Sequence, residues 1–240
     1  MRNDNSASQI LTGDIAAQVL GLTEQHIYFF EPEMNSKKLG IHQLMLNDFL
    51  ALSKAAAQAD IELKIASGYR SFERQLLIWN NKFTGKTAIK NAIGETVNIS
   101  QLTDIEIIHA ILLFSALPGT SRHHWGTDID VYAENLLNGE KLQLEPWEYA
   151  KTGPMAKLSN WLTDNAEKFG FYFPYDQFRG GVAIEPWHLS YAPLAKQYQS
   201  VLNIELLQVL LAKTNIAGKK VIIEHIPQIF KQYINNINMV

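Results

Sequence analysis

Residues 121–130 read SRHHWGTDID, a polar segment that leads into alternating, β-prone sequence. Gly126 predicts a turn, and residues 128–132 alternate in the way that a half-buried strand does. His123 precedes the turn and Asp130 lies on the strand, seven positions later. Because a turn separates them, these two side chains can converge. The stretch therefore predicts a strand that carries the Asp130 carboxylate, with the His123 imidazole just before the turn that leads into it.

Three more strands and several helices are predicted around this stretch. The other strands are expected at residues 61–66, 171–173 and 186–191. Helices are expected at 14–22, 41–59, 72–83, 104–116 and 155–169, from Pro193 onward, and twice in 204–240. This order is not a steady alternation of strand and helix. It favours an α+β fold with a small, mainly antiparallel sheet flanked by helices over a parallel doubly wound fold.

A chain of 240 residues fits one domain with a small appendage. We predict one domain at residues 1–200, with its core at 40–198, and a helical C-terminal extension at 201–240. The extension contains two amphipathic segments separated at 215–218, and their apolar stripes predict that it packs on the domain.

Composition excludes several classes of function. A formal net charge of −3 and a sequence pI of about 6.2 provide no basic face for nucleic acid, so no nucleic-acid partner is predicted. The chain has no cysteine, so a transition-metal site must be built from His, Asp and Glu. The longest apolar stretch, 105–117, is too short to span a bilayer. No apolar run typical of a signal peptide follows the N-terminus.

The polar residues that stand out have the chemistry of a catalytic zinc site. Such a site needs three protein ligands and an open position, and His123, Asp130 and His188 supply two imidazoles and a carboxylate. The strand of His188 can lie beside that of Asp130 in an antiparallel sheet. Glu185, three residues before His188, can serve as a general base without being a ligand. Arg70 follows a strand-end turn and can stabilise an oxyanion.

Three motifs in register resemble the VanY-type D-alanyl-D-alanine carboxypeptidases, a family of zinc D,D- and L,D-carboxypeptidases. They are Ser-Gly-Tyr-Arg-Ser at 67–71, Ser-x-His-x-x-Gly-x-x-x-Asp at 121–130 and Glu-x-Trp-His at 185–188. The resemblance covers roughly residues 63–191. It implies the α+β fold of the hedgehog and D,D-peptidase group.

The resemblance also implies a role for each matching residue. The implied zinc ligands are His123, Asp130 and His188. Glu185 is implied to be the general base, and Arg70 the stabiliser of the transition state. The substrate-binding residues predicted with them are Ser121, Gln75 and Tyr69, with a core position as the alternative for Tyr69.

Two positions depart from the family pattern. Asp128 stands where the family usually has a small residue, and it is either a partner that orients a histidine or a competing ligand. His124 has the chemistry of a ligand but the wrong register, so it is predicted to lie behind the ligands or in the pocket wall.

The predicted function is zinc-dependent removal of the C-terminal D-alanine from peptidoglycan stem peptides or muropeptides. L,D-carboxypeptidase or endopeptidase activity on the same zinc core is an alternative, and a non-catalytic zinc- or peptide-binding module is another. The lack of a visible export signal predicts a cytoplasmic location for the chain as sequenced, whereas the substrate class also allows the periplasm.

Overall fold

The fold is built on a small antiparallel sheet. A computed structural model of the chain describes residues 14–31 and 38–239. Within them lie six strands: β1 Ile27–Phe29, β2 Gly40–His42, β3 Leu63–Ser67, β4 Asp128–Ala133, β5 Phe171–Tyr172 and β6 His188–Tyr191. The last four form one sheet in the spatial order β3-β4-β6-β5, in which all neighbours are antiparallel. The first two form a separate antiparallel ribbon. The predicted α+β fold with an antiparallel sheet is therefore confirmed.

Helices flank the sheet. In the described ranges they are α1 Asp14–Val19, α2 Leu46–Ala57, α3 Phe72–Phe83, α4 Asp104–Leu112, α5 Ala156–Asn165, α6 Ala192–Val201, α7 Ile204–Lys213 and α8 Lys219–Ile229. The helix predicted at 72–83 is confirmed at both ends. Its start is fixed by the Ser71 hydroxyl, which caps it by accepting a hydrogen bond from the Arg74 N–H at 3.2 Å. None of the described helices combines the length and the apolarity needed to cross a membrane.

The start of the helix predicted at 41–59 is wrong. Ile41 and His42 belong to strand β2, and α2 begins only at Leu46. Ile41 is fully buried and pairs with Tyr28, so tertiary pairing overrides the helical pattern there. The short ribbon formed by β1 and β2 was not predicted, because three-residue strands give little periodic signal. Residues 1–13, which contain most of the segment searched for a signal peptide, lie outside the described residues.

The turn before β4 depends on glycine. Gly126 ends a short 3-10 helix, Arg122–Trp125, with φ of 69°, in the left-handed region. A side chain at this position would also overlap the Ile27 side chain and the backbone nitrogen of His42. The turn is therefore packed against the ribbon, and its place relative to β4 is fixed.

The hydrophobic core has two parts. One lies between the sheet and helices α2 and α5, and includes Leu52, Ile129 and Leu158. The other joins α3 and α4 to the C-terminal helices, and includes Trp79 and Ile108. Residues of α7, α8 and the π-helical turn Phe230–Ile234 contribute to this second part, so the C-terminal extension packs against the helices beside the sheet.

A buried pair of histidines makes acid stability a testable property. His26 and His42 are each 4% exposed, and their rings lie 5.4 Å apart. The His42 Nε2 lies 3.0 Å from the hydroxyl of Tyr198, whereas neither ring nitrogen of His26 forms a hydrogen bond with the described residues, although nearby backbone groups weakly favour its cation. Burial lowers the pKa of His26 to about 4 and that of His42 to about 4 as well.

We expect the free energy of unfolding to fall as the pH drops from about 6.5 to about 4. In that window the unfolded chain binds protons that the buried imidazoles exclude, so stability is complete above the unfolded pKa and is lost towards the folded pKa. Each unit of pKa shift corresponds to about 1.4 kcal/mol. Urea unfolding at pH 7.5 and 4.5 measures the difference. The loss of unfolding free energy between the two pH values should be smaller in His26→Phe than in the unsubstituted protein, and unchanged in His225→Gln. Equal pH dependence in all three proteins would contradict an origin in the buried histidines.

Candidate metal centre

Three side chains converge where β4 and β6 lie side by side. Asp130 on β4 pairs directly with His188, the first residue of β6. His123 comes from the 3-10 helix before Gly126, and all three side chains are buried. One donor atom from each lies within 4.8 Å of the other two, and no other group of three potential ligands was found in the described ranges. The predicted pairing of the His188 strand with the Asp130 strand is therefore confirmed.

Each imidazole points one nitrogen at the Asp130 carboxylate and has the other held by the protein. The Nε2 of His123 lies 3.4 Å from Asp130 Oδ2, and its Nδ1 lies 2.9 Å from the carbonyl oxygen of Gly68. The Nδ1 of His188 lies 3.0 Å from Asp130 Oδ1, and its Nε2 lies 3.0 Å from Asp128 Oδ1. Two imidazoles with their outer nitrogens bonded, together with one carboxylate, fit the ligand set of a divalent transition metal such as zinc.

Asp128 lies behind His188. Its Oδ1 accepts a hydrogen bond from Arg122 Nε at 2.7 Å, and its Oδ2 accepts from the hydroxyls of Thr127 at 2.7 Å and Ser190 at 3.1 Å. Burial acts against the charge of this carboxylate, but Arg122 and the hydrogen bonds outweigh it and lower the Asp128 pKa. The carboxylate is fully committed to this network, which supports the role of orienting His188 over that of a competing ligand.

Arg122 extends the network away from the cluster. Its guanidinium donates to Tyr172 at 2.9 Å, to Ser190 at 2.7 Å and to Gln199 at 3.1 Å. The side chain is 4% exposed, so this cation is buried with all its partners in place. A buried guanidinium that is paired with a carboxylate and donates to several partners holds its neighbours in a fixed geometry.

Glu185 lies at the edge of the cluster. Its Oε2 is 3.5 Å from His188 Nδ1, and its backbone N–H donates to the Tyr175 carbonyl at 3.1 Å. Burial raises the pKa of Glu185 to about 8. The charge of Asp130 adds to this shift, whereas the positive charges nearby oppose it. The carboxylate is thus close to the cluster without being one of the three converging donors.

Arg70 faces the same space from the loop after β3. Its guanidinium donates to Gln75 Oε1 at 2.9 Å and to Ser67 Oγ at 3.0 Å. Its backbone N–H donates to the carbonyl of His123 at 3.0 Å, and its own carbonyl lies 2.6 Å from His124 Nδ1. His124 therefore braces the Arg70 loop and does not face the metal cluster.

The predicted substrate-binding residues fall in different places. Ser121 is buried and lines the cavity beside the cluster. Gln75 is fully buried between Arg70 and the carbonyl oxygen of Ala116, to which its amide donates at 2.7 Å, and it is not part of the cavity wall. The Tyr69 hydroxyl donates to the carbonyl oxygen of Thr23 at 3.1 Å, also away from the cavity. The structure brings only Ser121 of these three to the cavity wall.

The cavity itself has a volume of about 260 Å³. Its wall includes polar residues that the sequence did not single out, among them Lys82, Ser115, Tyr175 and Arg122. The Tyr175 ring packs edge-on against His188, with their centroids 4.9 Å apart. Tyr233 and Ile234 reach the wall from the C-terminal extension. Apart from Arg122, which lies within the 121–130 motif, these residues come from separate helices and loops and no short motif marks them.

Comparison with known proteins identifies the family of this site. The family model for VanY, D-alanyl-D-alanine carboxypeptidase, matches residues 38–194. The chain belongs to the VanY family. It is therefore a carboxypeptidase-type peptide hydrolase, and the VanY match includes the sheet and all of the converging residues.

Several proteins show what this chain is similar to. An uncharacterized protein of Haemophilus influenzae is 41% identical over 121 residues, which is 49% of this chain and 92% of that protein. A D-alanyl-D-alanine carboxypeptidase of Enterococcus faecalis is 31% identical over 140 residues, which is 57% of this chain but 42% of that protein. A crystal structure of the vancomycin-resistance D,D-pentapeptidase VanY with Zn(II) is 25% identical, with a TM-score of 0.49, over 78% of this chain and 92% of that one.

Proposed function

We propose that the protein removes the C-terminal D-alanine from peptidoglycan stem peptides or muropeptides, with zinc held by His123, Asp130 and His188. The observation that supports this most strongly is the convergence of these ligands beside Glu185 in a buried cluster that opens on a cavity. The VanY family membership supports the choice of a peptide bond as the target.

Glu185 is proposed to move the proton in the reaction. Bound zinc would act as a Lewis acid and make water a competent nucleophile near neutral pH. The Glu185 carboxylate would take the proton of the attacking water and pass it to the departing amine nitrogen as the carbon–nitrogen bond breaks. Its position 3.5 Å from His188 Nδ1 supports this role, because the carboxylate is next to the ligands.

Arg70 is proposed to stabilise the negative charge that develops on the carbonyl oxygen. Its guanidinium is fixed by Gln75 and Ser67, so it requires little reorganisation when the charge appears. Gln75 is accordingly a positioning residue for Arg70. Arginine remains charged when partly buried, although burial lowers the Arg70 pKa.

Product analysis by mass spectrometry tests the proposed substrate. The zinc-loaded protein is incubated with soluble muropeptides that end in D-Ala-D-Ala, in a single D-Ala or in L-Ala, and with intact cell-wall sacculi. Loss of one alanine from a D-terminated peptide supports the proposal and identifies the bond. Cleavage of cross-links in sacculi without loss of alanine would favour the endopeptidase alternative, and no cleavage at all would contradict the proposal.

Asp128→Asn is expected to weaken zinc binding by about 10- to 100-fold, the usual cost of losing the partner that orients a metal-binding histidine. An amide cannot accept hydrogen bonds on both sides, so the asparagine side chain would fail to satisfy the hydroxyls of Thr127 and Ser190 while holding His188. Competition with a fluorescent zinc chelator measures the affinity. Asp176→Asn, which breaks the ion pair with Arg179 outside the site, serves as the control. Unchanged affinity in Asp128→Asn would contradict the orienting role.

A further inference from the structure

The cavity wall includes a lysine, Lys82, that has few partners. Lys82 lies near the end of α3, one residue before its last position, and its side chain lines the cavity together with Ser115. The Lys82 ammonium donates a hydrogen bond to Ser115 Oγ at 2.6 Å. This leaves two of its three donors free for another partner.

Lys82 forms no ion pair with a carboxylate within the part of the chain that the structure describes. The ion pairs found there, which extend to 4.0 Å, do not include it. Burial lowers the Lys82 pKa, and repulsion from Arg70 adds to this shift, while the charge of Glu185 opposes it. A partly buried ammonium without a paired carboxylate is costly, and an anionic ligand would offset that cost.

The cations of the cavity wall, Arg70, Lys82, Lys90 and Arg122, are committed to different extents. Arg70 is held by Gln75 and Ser67 for its proposed role at the scissile carbonyl, and Arg122 is paired with Asp128. The ammonium of Lys82 has one neutral partner. Lys90 also belongs to the cavity wall, but it is exposed at the surface, where water screens its charge. Lys82 is therefore the cation best suited to a small anion inside the cavity.

The cavity wall also has an apolar part, which suits a small apolar side chain. Ala88, Ile89 and Ala116 line the same cavity, and none of them carries a polar side-chain group. A ligand that places a carboxylate at Lys82 and a methyl group against this wall would satisfy both surfaces. A C-terminal alanine has this combination.

We propose that Lys82, supported by Ser115, binds the terminal carboxylate of the peptide substrate and so restricts the site to free chain ends. This inference rests on the proposed function, because it assigns the recognition element of the same site. Lys82 is a specificity-determining residue in this account, since its ammonium contacts the substrate away from the scissile bond.

Isothermal titration calorimetry tests whether Lys82 binds the terminal carboxylate, in a variant that does not turn the peptide over. The background is the zinc-loaded Glu185→Gln protein, and the probes are an N-acetylated peptide ending in D-Ala-D-Ala and the same peptide with a C-terminal amide. The protein should bind the free acid more tightly than the amide. In Lys82→Met, the affinity for the acid should fall by about 10- to 100-fold while that for the amide is unchanged, as expected for the loss of a charge-assisted contact.

Matched variants separate recognition from folding. Lys86→Met removes an exposed lysine that does not line the cavity and should keep the preference for the acid. Lys82→Arg should keep part of it, and Ser115→Ala, which leaves the charge in place, should reduce it. If Lys82→Met fails to fold, these last two variants decide the question.

The proposal is overturned if the preference for the acid survives in Lys82→Met, or if the parent protein binds neither peptide or binds both equally. Failure of the proposed function gives a different pattern. In that case the unsubstituted protein releases no D-alanine, while the Lys82-dependent preference for the acid remains.

Discussion

Replacing Glu185 with glutamine is expected to reduce the rate of D-alanine release by about 1,000-fold or more while zinc stays bound. General acid–base groups contribute roughly 100- to 10,000-fold, and this carboxylate is the proposed carrier of the proton in both bond-making and bond-breaking steps. Glutamine keeps the size of the side chain and loses the ability to accept the proton. Release of alanine followed by mass spectrometry, together with metal analysis of the same sample, measures both quantities.

The control for this variant is Glu140→Gln, which changes an exposed carboxylate in the loop between β4 and α5. It should leave the rate unchanged. Substantial activity in the Glu185 variant would remove Glu185 from the mechanism. A variant that loses zinc as well as activity would indicate that this residue holds the metal, contrary to the arrangement described above.

His123→Ala is expected to lower zinc affinity by more than about 100-fold and to reduce activity to background. Loss of a partner that only orients a ligand costs about 10- to 100-fold in affinity, so loss of a ligand should cost more. The remaining donors, one imidazole and one carboxylate, do not complete the set of three that a catalytic zinc needs. Chelator competition and turnover are measured on the same preparation.

His225→Gln is the matched control for that experiment, because His225 lies on α8 and is not part of the cavity wall. Zinc affinity and turnover should be unaffected by it. If His123→Ala binds zinc as tightly as the unsubstituted protein, the cluster at β4 and β6 is not the zinc site.

The sequence was sufficient for the parts of the fold with a strong local pattern. Alternation at 128–132 predicted β4, and the Ser71 cap together with a helical run predicted α3. The sequence analysis allowed β6 to lie antiparallel beside β4, which would bring His188 to Asp130, and the register shows this pairing. Here the chemistry of a shared site suggested a long-range pairing that local propensity does not contain.

Long-range packing decided the features that the sequence did not predict. Ile41 reads as helical, yet it pairs across the ribbon with Tyr28. The network behind His188 depends on Arg122, whose partner Gln199 lies 77 positions away on α6. Lys82 gains its significance from the absence of an acid paired with it among the described residues, which a pattern of residues along the chain cannot show.

The C-terminal extension also differs from what its apolar stripes alone suggest. The stripes predicted packing, but Tyr233 additionally contributes to the cavity wall and lies 2.8 Å from His109 Nδ1 through its hydroxyl. Gln199 donates an amide hydrogen bond to the Ile234 carbonyl at 3.4 Å, and its Oε1 accepts from Arg122. The extension is thus joined to the network that orients His188.

Stoichiometric zinc titration with D-alanine release as the readout tests the central claim most directly. The protein is stripped of metal with a chelator, zinc is added back in fractions of an equivalent, and the D-alanine released from a D-Ala-D-Ala peptide is measured at each step. The account predicts no release without metal and a linear rise that stops at one zinc per chain. Release by the metal-free protein, or no release at any zinc content, would contradict it.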